Sequence, residues 1–274
     1  MIEVPIVDRA MTGGCSITGY PPKLMKWKWD WNRGERQKVV VFTDRAIEEA
    51  ETFEADRKIA LLIEPRKFVD EVGFLTARRL LHKLDYVLTY DRSIIQLFGS
   101  KALWYPIAGC WIPYSDRHLN HFKTKTVSII ASTKRNAPGH ALRHQAVEAL
   151  QGIAEVYGRA YRPIEFKTEA HGPFMFSVVA ENGKVETMFT EKIIDCFVTG
   201  CVPIYYGCKT IGNYFRSDGI LEIDCLEDLK ELLPILTPET YQAMIPAILD
   251  NFSRAQKYLI AEDWICEQYP FLFV

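Results

Sequence analysis

The stretch FMFSVVAENGKVETMFTEKIIDCFVTGCVPIYY (residues 174–206) contains two short apolar runs with a helical pattern between them. Residues 174–179 and 203–206 have the length and composition of buried strands, and residues 190–199 have helical spacing. Asn182-Gly183 marks a turn after the first run, and Thr190 is placed to cap the helix. A strand, a helix and a second strand in this order predict a parallel sheet with helices on its faces.

The same alternation extends over the rest of the chain. Further strands are predicted at residues 39–42, 59–63, 85–90, 104–107, 127–131 and 221–223. Helices are predicted at residues 44–55, 69–81, 141–157, 226–233 and 238–260. The pattern restarts near residue 122, so the predicted fold class is α/β, with two doubly wound, Rossmann-like domains facing a cleft.

The predicted domains are residues 1–122 and 123–274, and the last helix is free to pack back on the first domain. Residues 1–36 are predicted to be irregular. The alternating Trp27, Trp29 and Trp31 fit either a half-buried strand or an aromatic platform at a cleft.

Composition excludes several classes of function. The chain has 274 residues and a formal net charge of −2, which gives no basis for binding nucleic acid or an anionic membrane surface. No secretory start and no apolar run of about 18 residues is present, so the chain is expected to be soluble and cytoplasmic. The seven cysteines show neither a CxxC pair nor a Cys/His ligand spacing, and this predicts reduced thiols without a structural zinc site.

Ligands of open α/β sheets bind at the carboxyl ends of the strands, which directs attention to the loops 132–140, 180–191 and 207–213. The first loop leads into a helix start, where backbone N–H groups favour an anion. Arg143 lies near that start and is a candidate for a bidentate phosphate contact, although an exposed surface arginine would give the same pattern. Neither a dinucleotide fingerprint nor a P-loop is present.

The second loop places two charged residues in the first turn of the next helix. Lys192 is a candidate to neutralise a diphosphate, and Glu191 is a candidate to accept hydrogen bonds from sugar hydroxyls. An equally open interpretation is that Glu191 only complements the helix dipole and that Lys192 is surface charge.

Three motifs carry a family resemblance: Ala180-Glu181-Asn182, Thr190-Glu191-Lys192-Ile193-Ile194-Asp195 and Val202-Pro203-Ile204-Tyr205-Tyr206-Gly207. Together they resemble the donor-binding signature of glycosyltransferase family ten, the α-1,3/1,4-fucosyltransferases, which reads approximately F-x-x-x-x-E-N-S, T-E-K-[IL]-x-D and P-[IV]-Y-[WY]-G. The six consecutive matches over residues 190–195 are the most specific part. The resemblance covers most of residues 127–215, and it extends more loosely to residues 63–65 and 85–91.

The resemblance implies a GT-B arrangement, with the acceptor on the first domain and the nucleotide sugar on the second. It implies GDP-fucose as donor, a glycan as acceptor, inversion at the anomeric carbon, and no essential metal or other cofactor. By position, Arg143 and Lys192 would hold the diphosphate, Glu191 would hold the sugar, and Asn182 and Tyr205 would lie close to the nucleotide or its loop. The residues expected at the donor site are Arg143, Glu181, Asn182, Thr190, Glu191, Lys192 and Tyr205.

The chain departs from the family pattern at two positions. Gly183 replaces the serine that follows E-N, and Arg92 stands where the acidic general base is expected. Asp91 is therefore the predicted base, and Glu64 is the alternative. Two other functions remain open: the same fold with GDP-mannose or a UDP-sugar as donor, and a catalytically silent nucleotide- or glycan-binding protein, which the substitution at Arg92 would explain.

Overall fold

The computed structural model describes residues 1–9, 21–65, 71–107, 109–119 and 122–274. The chain forms two compact units, residues 1–108 with 260–274, and residues 109–259. The sequence pattern placed the boundary at residue 122, whereas the segment that follows residue 108 belongs to the second unit and the C-terminal helix belongs to the first.

The regular elements follow the predicted alternation. The strands are β1 (Ile2–Val7), β2 (Met25–Lys28), β3 (Gln37–Thr43), β4 (Ala55–Leu61), β5 (Tyr86–Thr89), β6 (Ala102–Trp104), β7 (Lys125–Ile130), β8 (Ala154–Tyr157), β9 (Phe174–Ala180), β10 (Val202–Tyr206) and β11 (Leu221–Glu222). The helices are α1 (Glu71–Arg79), α2 (Arg92–Phe98), α3 (Pro138–Ala149), α4 (Thr168–His171), α5 (Glu191–Phe197), α6 (Leu226–Leu232), α7 (Pro238–Ala255) and α8 (Ala261–Gln268). Short 3-10 helices lie at Asp44–Glu51, Gly99–Lys101, Tyr114–Asp116, Ile211–Asn213, Ser217–Gly219, Leu233–Ile235, Gln256–Tyr258 and Pro270–Phe273.

The first unit contains a six-stranded parallel sheet in the order β2-β1-β3-β4-β5-β6. The prediction of irregular structure over residues 1–36 is wrong at β1 and β2. Pro5 hides β1 from the sequence pattern, because proline inside a run argues against a strand. In the structure Pro5 lies where β1 stops pairing with β2 and starts pairing with β3. Trp27 is buried in β2, as the half-buried strand interpretation expects for that residue.

The second unit contains a five-stranded parallel sheet in the order β11-β10-β9-β7-β8. The helix predicted over residues 141–157 is too long, because α3 ends at Ala149 and residues 154–157 form β8. Gly152 stands between the two elements with a φ of +79°, in the left-handed region that glycine favours. The reversal at Gly152 therefore separates two apolar segments that read as one helical pattern.

The order of strands locates a crevice in the second unit. The chain leaves β7 for β8 at one side of the sheet, and it leaves β9 for β10 at the other side. The carboxyl ends of the adjacent strands β7 and β9 are therefore the switch point at which ligands bind in open α/β sheets. The core beneath is apolar, with Ile129, Phe176 and Ile204 fully buried between the helices.

The loops at this switch point touch through backbone atoms. The N–H of Gly139, at the start of α3, donates to the carbonyl of Asn182, at 3.1 Å. A Cβ added to Gly139 would lie 1.7 Å from the carbonyl oxygen of Glu181. No side chain fits between these two segments, so glycine is required here for close approach. No described helix is both long and apolar enough to cross a lipid bilayer.

Gly139→Ala is expected to destabilise the protein by about 1–3 kcal/mol, because the new methyl group overlaps a backbone carbonyl that cannot rotate away. Urea unfolding measures the effect. Gly34→Ala is the matched control, since its Cβ would lie 3.4 Å from the Asn32 side chain, and a change below about 0.5 kcal/mol is expected. Equal unfolding midpoints for Gly139→Ala and wild type would contradict the packing described here.

Candidate functional site

A cavity of about 180 Å³ lies at the carboxyl edge of β7 and β9 in the second unit. Its walls combine apolar strand ends with the charged side chains of Arg143, Lys167, Glu191 and Lys192. The remaining lining residues are Ile130, Ser132, His171, Val178, Val179 and Ala180. Three cations and one carboxylate thus face the cavity at the switch point of this sheet.

Glu181 holds the start of α5 in position at one side of this cavity. It is the first residue after β9, and only 1% of its surface is exposed. The backbone N–H and the hydroxyl of Thr190 both donate to its Oε1 at 2.9 Å. The Nζ of Lys192 lies 3.2 Å from its Oε2. Glu181 is therefore the buried counter-ion of Lys192, and it connects the end of β9 to the start of α5.

Thr190 is the N-cap of α5, as the sequence predicted. Its hydroxyl accepts from the N–H of Lys192 at 3.4 Å, and the Nζ of Lys192 donates to the same oxygen at 3.0 Å. The cap fixes the first turn of the helix, so that Glu191 and Lys192 both line the cavity with about a quarter of each side chain exposed.

Lys167 and Asp195 complete the charged network. The Nζ of Lys167 lies 2.6 Å from Oδ2 of Asp195 and 3.5 Å from Oε1 of Glu191. Glu191 Oε1 also lies 3.4 Å from the Nζ of Lys192, so its carboxylate stands between two ammonium groups. Asp195 is fully buried and also accepts from the backbone N–H of Trp111 at 2.7 Å.

These contacts set the charge states. Burial disfavours the ionised form of Glu191, but Lys192 and Lys167 outweigh it and lower its pKa to about 2. Burial likewise opposes the charge of Lys192, yet the carboxylates of Glu181 and Glu191 raise its pKa. The pKa of Lys167 is also raised, since Asp195 and Glu191 outweigh its burial. Glu191 and both lysines are therefore charged at neutral pH.

Arg143 is held differently from the two lysines. It is 9% exposed, its Nε donates to the carbonyl of Gly139 at 3.2 Å, and its NH2 group donates to Oδ1 of Asn182 at 3.4 Å. Burial lowers the pKa of this guanidinium, against the attraction of Glu181 and Glu191, but an arginine remains protonated in proteins. Among the described residues, no carboxylate lies within 4.0 Å of it. Arg143 therefore presents a buried positive charge without a direct ion pair.

The structure links six of the predicted donor-site residues through direct contacts, and the seventh, Tyr205, contacts the turn after β10. Arg143, Glu181, Asn182, Thr190, Glu191 and Lys192 are linked through the contacts described above. Tyr205 is buried, and its hydroxyl accepts from the N–H of Cys208 at 3.0 Å. Its contact is thus with the turn after β10, and it does not line the cavity.

The two candidate bases lie in the first unit, on neighbouring strands. Glu64 follows β4 and Asp91 follows β5, and these strands pair in parallel. Asp91 is the N-cap of α2, where its Oδ1 accepts from the N–H groups of Ser93 at 2.8 Å and Ile94 at 3.1 Å. Glu64 accepts a hydrogen bond from the Tyr90 hydroxyl through its backbone carbonyl, at 3.0 Å.

The sequence interpretation missed Lys167, His171 and Asp195. Asp195 had a signal, because it lies four residues after Glu191 and therefore on the same helical face. Lys167 precedes the four-residue helix α4 in a segment without apolar periodicity, and nothing in the sequence connects it to α5. His171 ends that short helix and reaches the cavity only through the fold.

His140, at the start of α3, is a further buried polar group near Arg143. Its Nδ1 has no hydrogen-bond partner among the residues that the structure describes. Burial, followed by the charge of Arg143, lowers its pKa to about 4, so the imidazole is neutral at physiological pH. It does not line the cavity.

No known family model matches this chain, and no curated protein sequence matches it. Among solved structures it is similar to an α1,3-fucosyltransferase solved with GDP, at 15% identity and a TM-score of 0.59, over 96% of this chain and 92% of that chain. The structure of an α1,3-fucosyltransferase with GDP-fucose gives 15% identity and a TM-score of 0.57 over the same shares. A UDP-forming α,α-trehalose-phosphate synthase from Burkholderia xenovorans, in complex with glucose-6-phosphate, gives 12% identity and a TM-score of 0.56, over 85% of this chain and 73% of that chain.

At sequence identities of 12–15%, the likeness to these solved structures establishes the fold of the chain alone. The predicted α/β class is confirmed, with two parallel sheets and interleaved helices as in glycosyltransferases of the GT-B type.

Glu191 is expected to give the protein a pH signature. Its pKa is about 2 in the folded chain, against an ordinary value of 4.5, so the stabilisation is complete above pH 4.5 and is lost as the pH falls towards 2. The difference in unfolding free energy between wild type and Glu191→Gln is expected to shrink by about 1 kcal/mol between about pH 7 and pH 3.5. Urea unfolding at several pH values measures it, with Glu231→Gln on the exposed face of α6 as control. A difference that does not vary with pH would show that Glu191 is not held between charges.

Proposed function

We propose that this chain is a glycosyltransferase that uses a nucleoside diphosphate sugar as donor. The observation that carries the proposal is the buried guanidinium of Arg143 at a switch-point cavity, together with the ammonium group of Lys192. Transfer of a sugar leaves a diphosphate, whose charge needs fixed positive groups that are already oriented. Arg143 and Lys192 would supply them, and the Thr190 cap and Glu181 would hold Lys192 in place.

Glu191 would serve the sugar end of the donor. A carboxylate accepts hydrogen bonds from sugar hydroxyls, and an ionised carboxylate favours the positive charge that develops on the sugar ring during transfer. The low pKa of Glu191 supports both roles, because it keeps the group ionised at any physiological pH. Asn182, which accepts from Arg143, would lie beside the diphosphate.

The most specific form of the proposal is inverting transfer of fucose from GDP-fucose to a glycan hydroxyl. It is supported by the motif resemblance over residues 180–207 and by the likeness to α1,3-fucosyltransferases solved with GDP and with GDP-fucose. A UDP-sugar is the alternative donor, since the UDP-forming trehalose-phosphate synthase is similar at nearly the same TM-score. The order of GDP and UDP affinities decides between them.

Inverting transfer also needs a base that takes the proton of the acceptor hydroxyl. We assign this role to Asp91, with Glu64 as the alternative, because Arg92 occupies the position where the family resemblance places an acid. Both carboxylates follow neighbouring parallel strands of the first unit. If neither acts, the chain is a nucleotide- or glycan-binding protein without transfer activity.

Removal of the donor-site cations is expected to weaken nucleotide binding. Arg143→Gln and Lys192→Ala should each lower the affinity for GDP by about 10–100-fold, since each loses a charge-assisted hydrogen bond to the diphosphate. Isothermal titration with GDP, UDP, GDP-fucose and GDP-mannose measures the effect and ranks the donors. Lys230→Ala, on the exposed face of α6, is the matched control and should bind as wild type does. Unchanged GDP affinity in both donor-site variants, with intact melting curves, would refute the phosphate site.

The base is tested by two isosteric substitutions. Asp91→Asn should lower kcat by about 10²–10⁴-fold while the fold stays intact, because asparagine still caps α2. Glu64→Gln should leave kcat within a few fold if Asp91 is the base. Donor turnover with a panel of glycan acceptors gives the rates, and the affinity for GDP serves as the internal control. Full activity in Asp91→Asn with loss in Glu64→Gln would transfer the role to Glu64.

A further inference from the structure

Three side chains with metal-binding chemistry meet in the core of the second unit. His171 ends α4, Cys196 lies on α5, and Cys201 directly precedes β10. All three are buried, and their ligand atoms lie within 4.8 Å of one another. The Sγ of Cys196 is 3.6 Å from the Nδ1 of His171. The proposed transfer reaction uses none of these groups.

The spacing of these atoms fits a small soft cation. Zinc binds thiolate sulfur at about 2.3 Å and imidazole nitrogen at about 2.0–2.1 Å, so tetrahedral ligands stand roughly 3.4–3.8 Å apart. The Cys196–His171 separation already lies in that range. The other separations need a contraction of about 1 Å at most, which rotation of the thiol side chains can supply.

Lys123 supplies charge beside the cluster. Its buried Nζ donates to the carbonyls of Gly172 at 2.7 Å and Thr199 at 2.6 Å, next to His171 and close to Cys201 in the chain. Among the described residues, no carboxylate lies within 4.0 Å of this ammonium. A buried charge needs compensation, and thiolates at Cys196 and Cys201 would provide it. Two thiolates and the Lys123 ammonium together carry a net charge of −1. A monovalent metal ion balances this charge, and so does a divalent ion that also binds a hydroxide.

We propose that His171, Cys196 and Cys201 form a binding site for a thiophilic d¹⁰ metal ion, Zn²⁺ or Cu⁺. On binding, two S–H bonds break and two protons leave to solvent, while two metal–sulfur bonds and one metal–nitrogen bond form. With Zn²⁺, a bound water forms one metal–oxygen bond and releases a third proton to become the hydroxide. No oxidation or reduction takes place. Soft thiolate ligands favour both ions, and the competition titrations below distinguish between them. His171 also lines the donor-site cavity.

The ion would tie together α4 and α5, which lie next to three of the cavity's four charged side chains. His171 closes the helix that Lys167 precedes, and Cys196 lies on the helix that carries Glu191 and Lys192. Because the unfolded chain does not hold the three ligands together, binding would stabilise the folded state. The site does not depend on the chain's activity as a glycosyltransferase.

The experiment uses the full chain in its reduced form, with Cys15, Cys225 and Cys266 replaced by serine to remove thiols outside the described core. Zn²⁺ is titrated in competition with a chromophoric chelator, and Cu⁺ in competition with a Cu⁺-specific chelator. One ion per chain is expected, together with an ultraviolet thiolate-to-metal band when Cd²⁺ is the probe. Tighter competition by one of the two ions identifies the preferred metal.

Cys196→Ala and Cys201→Ala are each expected to lower the affinity for the metal ion by at least about 100-fold. Loss of a residue that only supports a metal ligand costs about 10–100-fold, and loss of a ligand itself costs more. Cys208→Ala is the matched control, because Cys208 is a buried thiol of the same unit whose Sγ donates to the Glu186 carbonyl. The wild-type melting temperature should rise with added metal, and that of the two ligand variants should not. Metal-free melting curves show which variants are folded, and His171→Asn provides a third variant that keeps both thiols. Absence of a one-to-one complex, or equal affinity in the folded variants, would overturn the site.

Discussion

Three loops of the second unit meet at one buried residue, Glu181. The Thr190 cap and the Lys192 ammonium both bind its oxygens, so the first turn of α5 cannot move without breaking them. Its backbone carbonyl leaves no room for a Cβ at Gly139. A Cβ at Gly207 would likewise lie 2.7 Å from its Cγ. The ends of β9 and β10 and the starts of α3 and α5 therefore depend on this residue. Loss of the Glu181 carboxylate would leave the charge of Lys192 less compensated, which is costly for a buried group.

Around this anchor, the cavity is nearly balanced in charge. Glu181, Glu191 and Asp195 stand against Lys167, Lys192 and Arg143, but only the two lysines form close ion pairs with carboxylates. These ion pairs hold the two lysine ammonium groups in place before any ligand arrives, which is the preorganisation that the proposed transfer reaction requires. Arg143 is held by a carbonyl and an amide oxygen, so it can accept an anion without first giving up a salt bridge. Among the described residues that line the cavity, Arg143 is thus the cation without a close ion pair.

The sequence predicts several strands and the start of α5 better than it predicts the path of the chain around them. Apolar runs in β3, β7 and β9 and the motif at residues 190–195 are local signals, because each depends on neighbouring positions. Pro5 concealed β1, and the reversal at Gly152 concealed β8, since both require knowledge of pairing that no local pattern contains. Lys167 lies 28 positions before Asp195, and only the crossover from α4 to α5 brings them together. For the same reason the spacing of the cysteines gave no indication of the cluster at His171, Cys196 and Cys201.

Helix α5 joins the cavity at the carboxyl edge of β7 and β9 to this buried cluster. Within its seven residues, Glu191, Lys192 and Asp195 belong to the charged network, while Cys196 is fully buried beside His171. A ligand that orders this helix lowers the conformational entropy of the helix. A second ligand that binds to the same helix then has less conformational entropy to remove. By linkage, the effect of a bound cation on the affinity for an anion equals the effect of the anion on the affinity for the cation. Because Asp195 and Cys196 are adjacent in a short capped helix, a coupling between the two sites would act through the position of α5, without any contact between the ligands.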